Sequence, residues 1–323
     1  MNRRGIVQSC GLIAALAIPW FVFAQGASTT RIIVGFPAGG SPDIVARLLA
    51  DRVKESGITA VVESRSGAGG RIAAEFVKNA ATDGSVWLLM PAAVFEIFPR
   101  IVRNLPFDPV ADFQPIGIAV EYSFGVTIGP ASPAKTFAEF AEWCRANPTK
   151  ATFGTPGTGT PQHFIGASLA KAAGFPLTHV PYKGGGDAIK DLFGGQIAAM
   201  ITTVPIGVPH HQSGRLRLIA DSGSRRNAVV TDVPIVRELG FPNLEIHDWF
   251  ALFVQRKVPG AEVARISQAF AAAVAHPAYR PAVAKLGFDM PQTMTPAAIE
   301  ARTKTESERW NEMIQAANFK ATD

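Results

Sequence analysis

Two stretches of the chain share one phrase: Ile32-Ile33-Val34-Gly35-Phe36-Pro37-Ala38-Gly39-Gly40-Ser41-Pro42-Asp43, and Ala151-Thr152-Phe153-Gly154-Thr155-Pro156-Gly157-Thr158-Gly159-Thr160-Pro161. In each, a short apolar run reads as a strand and breaks into a Gly-rich turn. A Ser or Thr followed by Pro then opens a helix. Ser41 and Thr160 are placed as N-caps, with Pro42 and Pro161 as N1 residues. Glycine lets backbone N–H groups approach a ligand without an obstructing Cβ. The first-turn N–H groups of a helix lack internal partners and carry the positive end of its dipole, so each turn is a candidate anion holder. In open α/β sheets, ligands bind beyond the carboxyl ends of the strands, where both turns should sit.

Outward from these turns the same grammar continues. Strands over Arg31–Phe36, Thr59–Glu63 and Val86–Met90 alternate with helices over Pro42–Ser56 and Ile72–Ala80. A Pro-rich passage from Pro91 to Pro115 leads into an extended run, Ile116–Ile128, and the punctuation Gly129-Pro130-Ala131-Ser132-Pro133. The alternation restarts with helix Phe137–Ala146, strand Ala151–Phe153, helix Pro161–Ala173, strand Thr178–Val180, helix Asp187–Phe193, strand Ile197–Thr202, a helix around Ile206–Ser213 and strand Arg215–Ala220. A second Pro-rich crossing, Val233–Pro242, precedes the apolar run His247–Val254, and helices Ala261–Ala275, Ala278–Leu286 and Pro296–Ala317 follow. The pattern predicts an α/β, two-lobed periplasmic-binding-protein fold with a doubly crossed hinge and an interlobe cleft. Lobe one covers 30–129 plus 245–323 and lobe two 130–244; the plainer alternative is one continuous doubly wound sheet.

Composition narrows the function. Hydrophobic residues are 47% and charged residues 18% of the 323, which excludes a disordered chain. The formal charge is +5, and losing Arg3 and Arg4 would leave +3 without a basic block. With only 3 Tyr and no long Lys/Arg run, a nucleic-acid partner is not expected. Arg3-Arg4, an uncharged segment through Thr30 and the small-residue site Val22-Phe23-Ala24 read as a signal peptide over 1–24 and place the protein in the periplasm. Cleavage leaves Cys144 as the single cysteine, on the apolar stripe Phe137, Phe140, Ala141, Cys144 of a helix with the capping pair Thr136 and Glu139, so it reads as a small hydrophobe.

Catalytic and metal readings find little. Ser168 and Lys171 have S-x-x-K spacing inside a helix, without the partner motifs such enzymes need. His210-His211 has no ligand set around it, and His163 and the pair His247-Asp248 are expected at the border of the cleft without a catalytic role. Trp249, Phe250 and Phe253 read as core. No cofactor, metal or catalytic residue is expected.

The anion itself is not a nucleotide. Gly35 and Gly40 have Walker-A separation, but Ser41-Pro42 stands where Lys-Ser/Thr is required, and neither turn holds G-x-G-x-x-G. A carboxylate fits better, with Asp43 accepting from water or from a ligand N–H or O–H. One helix terminus contributes roughly 0.3–1 kcal/mol, up to about 2 when partly buried. Two termini in one closed cleft, with charge-assisted bonds of about 1.5–3 kcal/mol each, reach micromolar affinity at about −8 kcal/mol.

Taken in order, the turn Phe36–Asp43, the stretch Val62-Glu63-Ser64-Arg65-Ser66-Gly67-Ala68-Gly69-Gly70, Asp83-Gly84, Leu105-Pro106-Phe107-Asp108-Pro109, the turn through Thr160, His179-Val180-Pro181-Tyr182-Lys183-Gly184, Leu192-Phe193-Gly194-Gly195-Gln196 and Asp232-Val233-Pro234 resemble the Bug-type substrate-binding proteins of tripartite tricarboxylate transporters. The resemblance runs from about Arg31 to Lys320. It implies a monomeric periplasmic receptor that grips a small organic carboxylate between two lobes and delivers it to membrane permease subunits. The carried-over ligand group is Phe36, Ala38, Gly39, Gly40, Ser41 and Asp43, facing Thr155, Gly157, Thr158 and Thr160, with Ala68 and Tyr182 nearby. Gln196-Ile197-Ala198 stands where relatives often have Gln-Val-Asp, and Thr202-Thr203 where they often have an acid and Asn. Thr202 and Thr203 therefore predict a neutral or apolar distal pocket. A secreted hydrolase or transferase and a ligand-sensing subunit are the competing functions.

Overall fold

The computed structural model describes residues 29–291, 295–317 and 319. The expected signal peptide lies outside them. Strands β1 (Thr30–Val34), β2 (Ala60–Ser64) and β3 (Val86–Pro91) pair in parallel in the order β2-β1-β3, with α1 (Ser41–Val53) and α2 (Arg71–Lys78) as crossovers. Ile32, Ile33 and Val34 are each 0% exposed, so β1 is covered on both faces and carries an unbroken apolar run instead of an alternating one.

The Pro-rich passage after β3, to which the sequence pattern assigns no element, forms α3 (Ala92–Ile101) and α4 (Pro109–Asp112). Residues 92–98 of α3 are all buried and Pro99 lies inside it, so the sequence shows neither a polar face nor an uninterrupted helical run. Strand β4 (Phe113–Ile128) follows. The second alternation comprises α5 (Phe137–Ala146), β5 (Thr152–Thr155), α6 (Pro161–Ala173), β6 (Thr178–Pro181), α7 (Gly185–Phe193), β7 (Ala199–Thr203), α8 (Val204–Gln212) and β8 (Arg217–Asp221). Helix α5 is capped as expected, with Thr136 Oγ1 accepting from Glu139 N–H at 3.2 Å. Cys144 is 0% exposed, and burial pushes its thiol up to about 12. Strand β9 (His247–Gln255) and helices α9 (Gly260–Ala275), α10 (Tyr279–Lys285) and α11 (Pro296–Ala316) complete the described chain.

The nine strands form one sheet: eight follow the path β2-β1-β3-β9-β4-β7-β5-β6, and β8 pairs with β4 off that path. Strand β4 changes partners along its length: Phe113–Ser123 pairs antiparallel with β9, Phe124–Ile128 with β7 and Gly125–Ile128 with β8. At the change Ser222 ties three segments together. Its Oγ accepts from Phe124 N–H at 2.9 Å and donates to the Ile246 carbonyl at 2.6 Å, while its own N–H donates to the Phe124 carbonyl at 2.8 Å. Both connections between the β1–β3 side and the β5–β7 side pass this knot. One apolar core runs under both sides, with Trp87, Phe153 and Trp249 fully buried in it.

Candidate functional site

The turn after β1 is built by its own acid. Gly39, at φ 81, presents its N–H to Asp43 Oδ2 at 3.0 Å, and Gly40 N–H donates to the Pro37 carbonyl at 3.2 Å. Arg47 grips the same carboxylate through Nε at 2.9 Å and Nη2 at 3.0 Å. Asp43 is thus engaged within its own helix and loop, bracing the first turn. The N-cap expectation for Ser41 is corrected: Gly40 occupies the N-cap position and Ser41 begins the helix. Its hydroxyl reaches across to Thr203 Oγ1 at 2.6 Å, joining the start of α1 to the end of β7.

The turn after β5 is braced differently. Thr155 Oγ1 donates to the Gly157 carbonyl at 3.1 Å and accepts from Gly157 N–H at 3.3 Å. The same oxygen lies 2.6 Å from His179 Nε2. Thr160 sits at the N-cap position as expected, but its hydroxyl donates back to the Gly157 carbonyl at 2.8 Å instead of accepting from the helix. His163 Nδ1 accepts from Gly159 N–H at 3.3 Å, and the His163 and His179 rings stack with centroids 3.9 Å apart. Burial lowers both imidazoles, His179 to about 3, so the pair is neutral at physiological pH.

Both turns reach one cleft. Phe36, Gly40, Ser41 and Pro42 line a cavity of about 40 Å³ together with Pro156, Gln162, Gly185, Thr202 and Thr203. Thr160, Pro161 and Gln162 line an adjoining cavity of about 20 Å³ with Phe36 and Gly69. The floor of both is Tyr122, from β4. Approach is close enough to demand glycine at two places. A Cβ on Gly184 would lie 2.4 Å from Pro37 Cδ, and one on Gly159 2.4 Å from Ile101 Cδ1.

Of the expected residues, Phe36, Gly40, Ser41, Thr160, Thr202 and Thr203 line these cavities. Ala38, Gly39, Ala68 and Thr158 are exposed loop tips beside them, and Ala68 holds φ 48 in a turn of glycines. Thr155 and Gly157 are buried in the second turn, and Tyr182 donates its hydroxyl to Asp191 Oδ2 at 2.7 Å. Gln162 and Tyr122 are not among the expected residues, whereas Asp248, expected with His247 at the border of the cleft, does line it. Gln162 had a signal, since it follows Thr160-Pro161 as Asp43 follows Ser41-Pro42. Tyr122, Asp248 and Phe250 sit within extended runs, where only the pairing of β4 with β9 brings them together. Phe250, expected as core, is 1% exposed and also forms cleft wall.

No Lys, Arg or His lines either cavity. An anion there meets helix-terminal amides, hydroxyls and the Gln162 amide. A separate cavity of about 450 Å³ is lined by Arg225, Arg302 and Arg309, yet these cations are engaged: Arg225 with Asp289 at 2.7 Å, Arg302 with Glu121 and Glu306, Arg309 with the Glu245 carbonyl. Among the described residues no group of three His, Cys, Asp or Glu could hold a metal ion, and no helix is long and apolar enough to cross a membrane.

Residues 45–319 match the family model described as the tripartite tricarboxylate transporter family receptor. The chain is similar to the periplasmic binding protein BugD, at 29% identity over 90% of this chain and 98% of that one, with a TM-score of 0.85. MatC from Rhodopseudomonas palustris, solved with bound malate, is 28% identical over 88% of this chain and 98% of its own, with a TM-score of 0.81. An R. palustris protein solved with adipate is 25% identical over 92% of this chain and 99% of its own, with a TM-score of 0.86. Such proteins are substrate-binding receptors and not enzymes, so the hydrolase and transferase readings fall away.

Proposed function

Because the chain belongs to the tripartite tricarboxylate transporter receptor family, we propose that its cleft captures a small organic carboxylate and hands it to the membrane permease subunits of such a transporter. Residues 1–24 act as the signal peptide that exports it, and the two sides of the sheet act as lobes, 30–129 plus 245–323 and 130–244. The knot of Phe124, Ser222 and Ile246, at the point where β4 exchanges partners, is a natural hinge between them.

The observation that carries this reading is the pair of helix N-termini, at Ser41-Pro42 and Pro161-Gln162, lining one cleft with hydroxyls and no cationic side chain. Amide dipoles and hydroxyls favour a carboxylate over a multiply charged phosphate, which needs Lys or Arg to balance it. Gly40 and Ser41 on one side and Thr160 and Gln162 on the other receive the carboxylate; Asp43, Thr155 and Gly157 hold the two turns in shape. Ala38, Gly39, Ala68 and Thr158 form the rim, and Tyr182 buttresses the loop before α7. Cavities of about 40 and 20 Å³ have room for waters and not for a dicarboxylate. Capture therefore parts the lobes at the hinge and closes them again over the ligand. Thr202, Thr203, Ile206 and Phe250 match a neutral or apolar distal group.

Mass spectrometry of ligand released from the purified protein, followed by calorimetric titration of a panel of mono-, di- and tricarboxylates, tests the reading. Saturable binding of a mono- or dicarboxylate, returned unchanged after denaturation, is expected. Binding of no carboxylate overturns the reading, and a tricarboxylate as the tightest ligand overturns the distal-pocket assignment.

A further inference from the structure

The floor of the cleft carries acids that amide-based capture of an anion does not require. Tyr122 on β4 and Asp248 on β9 are directly opposed in the antiparallel ladder, with the Tyr122 hydroxyl donating to Asp248 Oδ2 at 2.7 Å. Tyr122 lines both cavities and Asp248 the one beneath the start of α6. Trp249 N–H donates to Asp248 Oδ1 at 2.7 Å. Glu96 faces Asp248 from α3, and Glu306 and Arg302 stand behind from α11. Arg302 is engaged by Glu121 and Glu306, and Glu306 also accepts from Trp249 Nε1 at 2.8 Å, so no cation is dedicated to Asp248. Glu96 is 1% exposed, and the Trp310 indole that faces its carboxyl falls short of a full hydrogen bond.

A buried acid among acids holds its proton. Burial, reinforced by Glu306, raises Asp248 to about 7; burial, reinforced by Asp248 and Glu306, holds Glu96 well above the carboxylate range. The hydrogen bonds give the Asp248 proton a direction. Oδ1 accepts from Trp249 N–H and the Ala93 N–H also donates to this carboxyl, so a proton carried on Oδ2 faces the Tyr122 oxygen. Ionised Asp248 draws the Tyr122 hydroxyl hydrogen onto itself and leaves Tyr122 only lone pairs to show the cleft, which repel a carboxylate. Protonated Asp248 donates from Oδ2 to Tyr122 and releases the tyrosine hydrogen to turn into the cleft.

We infer that Asp248 and Tyr122 form a proton-carrying subsite of the cleft: capture of a carboxylate takes up one proton from solvent onto Asp248 Oδ2 and is completed by a hydrogen bond from Tyr122. The inference rests on the carboxylate reading of the cleft. Its consequence is a receptor that loads a carboxylate together with a proton, and so binds more tightly on the acid side of neutrality. An anion above Asp248 disfavours its ionised form, so the bound state holds the proton to higher pH than the free state. Affinity is level where free Asp248 is already protonated and falls above that, by at most tenfold per pH unit.

The test is isothermal calorimetry of the full mature chain, in two buffers of different ionisation enthalpy, with whichever of malate and adipate binds more tightly. Wild-type affinity should fall on the order of tenfold between about pH 6.5 and about pH 8.5, with close to one proton taken up near pH 8. Asp248→Asn sets a permanent N–H donor against Tyr122, and its affinity should be flat over that range without proton uptake. Tyr122→Phe should bind on the order of tenfold more weakly at about pH 6.5 and also lose the slope. Affinity flat in pH without proton uptake by the wild-type chain, which requires no variant to fold, overturns the inference and leaves the receptor reading intact; so does a wild-type slope in Asp248→Asn. Failure of every carboxylate to bind at any pH overturns both.

Discussion

The two Gly-rich turns begin from one sequence phrase and end as different devices. In the first, the residue after Pro42 is Asp43, whose carboxylate folds back on Gly39 N–H and Arg47. In the second, the residue after Pro161 is Gln162, which faces the cleft. The first turn sends a hydroxyl outward, from Ser41 to Thr203 on the other side, whereas the second folds Thr155 and Thr160 inward on the Gly157 carbonyl. Backbone phrase therefore sets where amides point, and the side chains decide how each loop is braced and which one reaches over. The second turn is a wall braced by hydroxyls; the first is braced by a carboxylate and carries the cross-cleft latch.

Breaking the brace should have the largest effect. Thr155→Val keeps the shape but leaves Gly157 N–H unpaired and strips His179 of its partner, so ligand affinity should drop about a hundredfold, near 2.7 kcal/mol, with a lower melting temperature. A melting shift without an affinity loss would show that the brace is not needed for capture. Gln162→Leu, judged against its positional counterpart, should weaken binding about tenfold by removing a donor to charge while leaving the melting temperature near wild type. Asp43→Ala also frees a loop amide and should give up to about tenfold weaker binding, and Asp43→Asn, which still accepts from Gly39 N–H, should recover most of it. Equal losses in the two Asp43 variants would mean that the charge itself acts on the ligand.

Acid separates the turns without mutation. Burial holds His163 and His179 below their ordinary value, so the unfolded or opened segment binds more protons than the native one; this contribution is complete above about pH 6.5 and is lost as pH falls towards the lowered folded values. Amide exchange at Gly157 and Gly159 should quicken several-fold more than at Gly39 and Gly40 between about pH 7 and about pH 5, after correction for intrinsic rates. Matched acceleration in both turns would remove the histidine brace from the account. Ser41→Ala should have the smallest effect, a few-fold weaker binding, because the backbone amides of the first turn stay in place.

How much of this the sequence disclosed follows from range. Helices α5 and α6 were legible end to end because their starts are written locally, by Thr136 with Glu139 and by Thr160-Pro161. Helix α3 was hidden, since burial on all sides erased its stripe and Pro99 imitated a break. The lips of the cleft were readable for the same local reason as α5. Its floor was not: Tyr122 and Asp248 are 126 positions apart and meet only through strand register.

A crystal structure of the protein with malate tests the central claim most directly. The account places one carboxylate between the start of α1 at Gly40-Ser41 and the start of α6 at Thr160–Gln162, with Tyr122 beneath it. A carboxylate found instead among Arg225, Arg302 and Arg309, with both turns untouched, would contradict it.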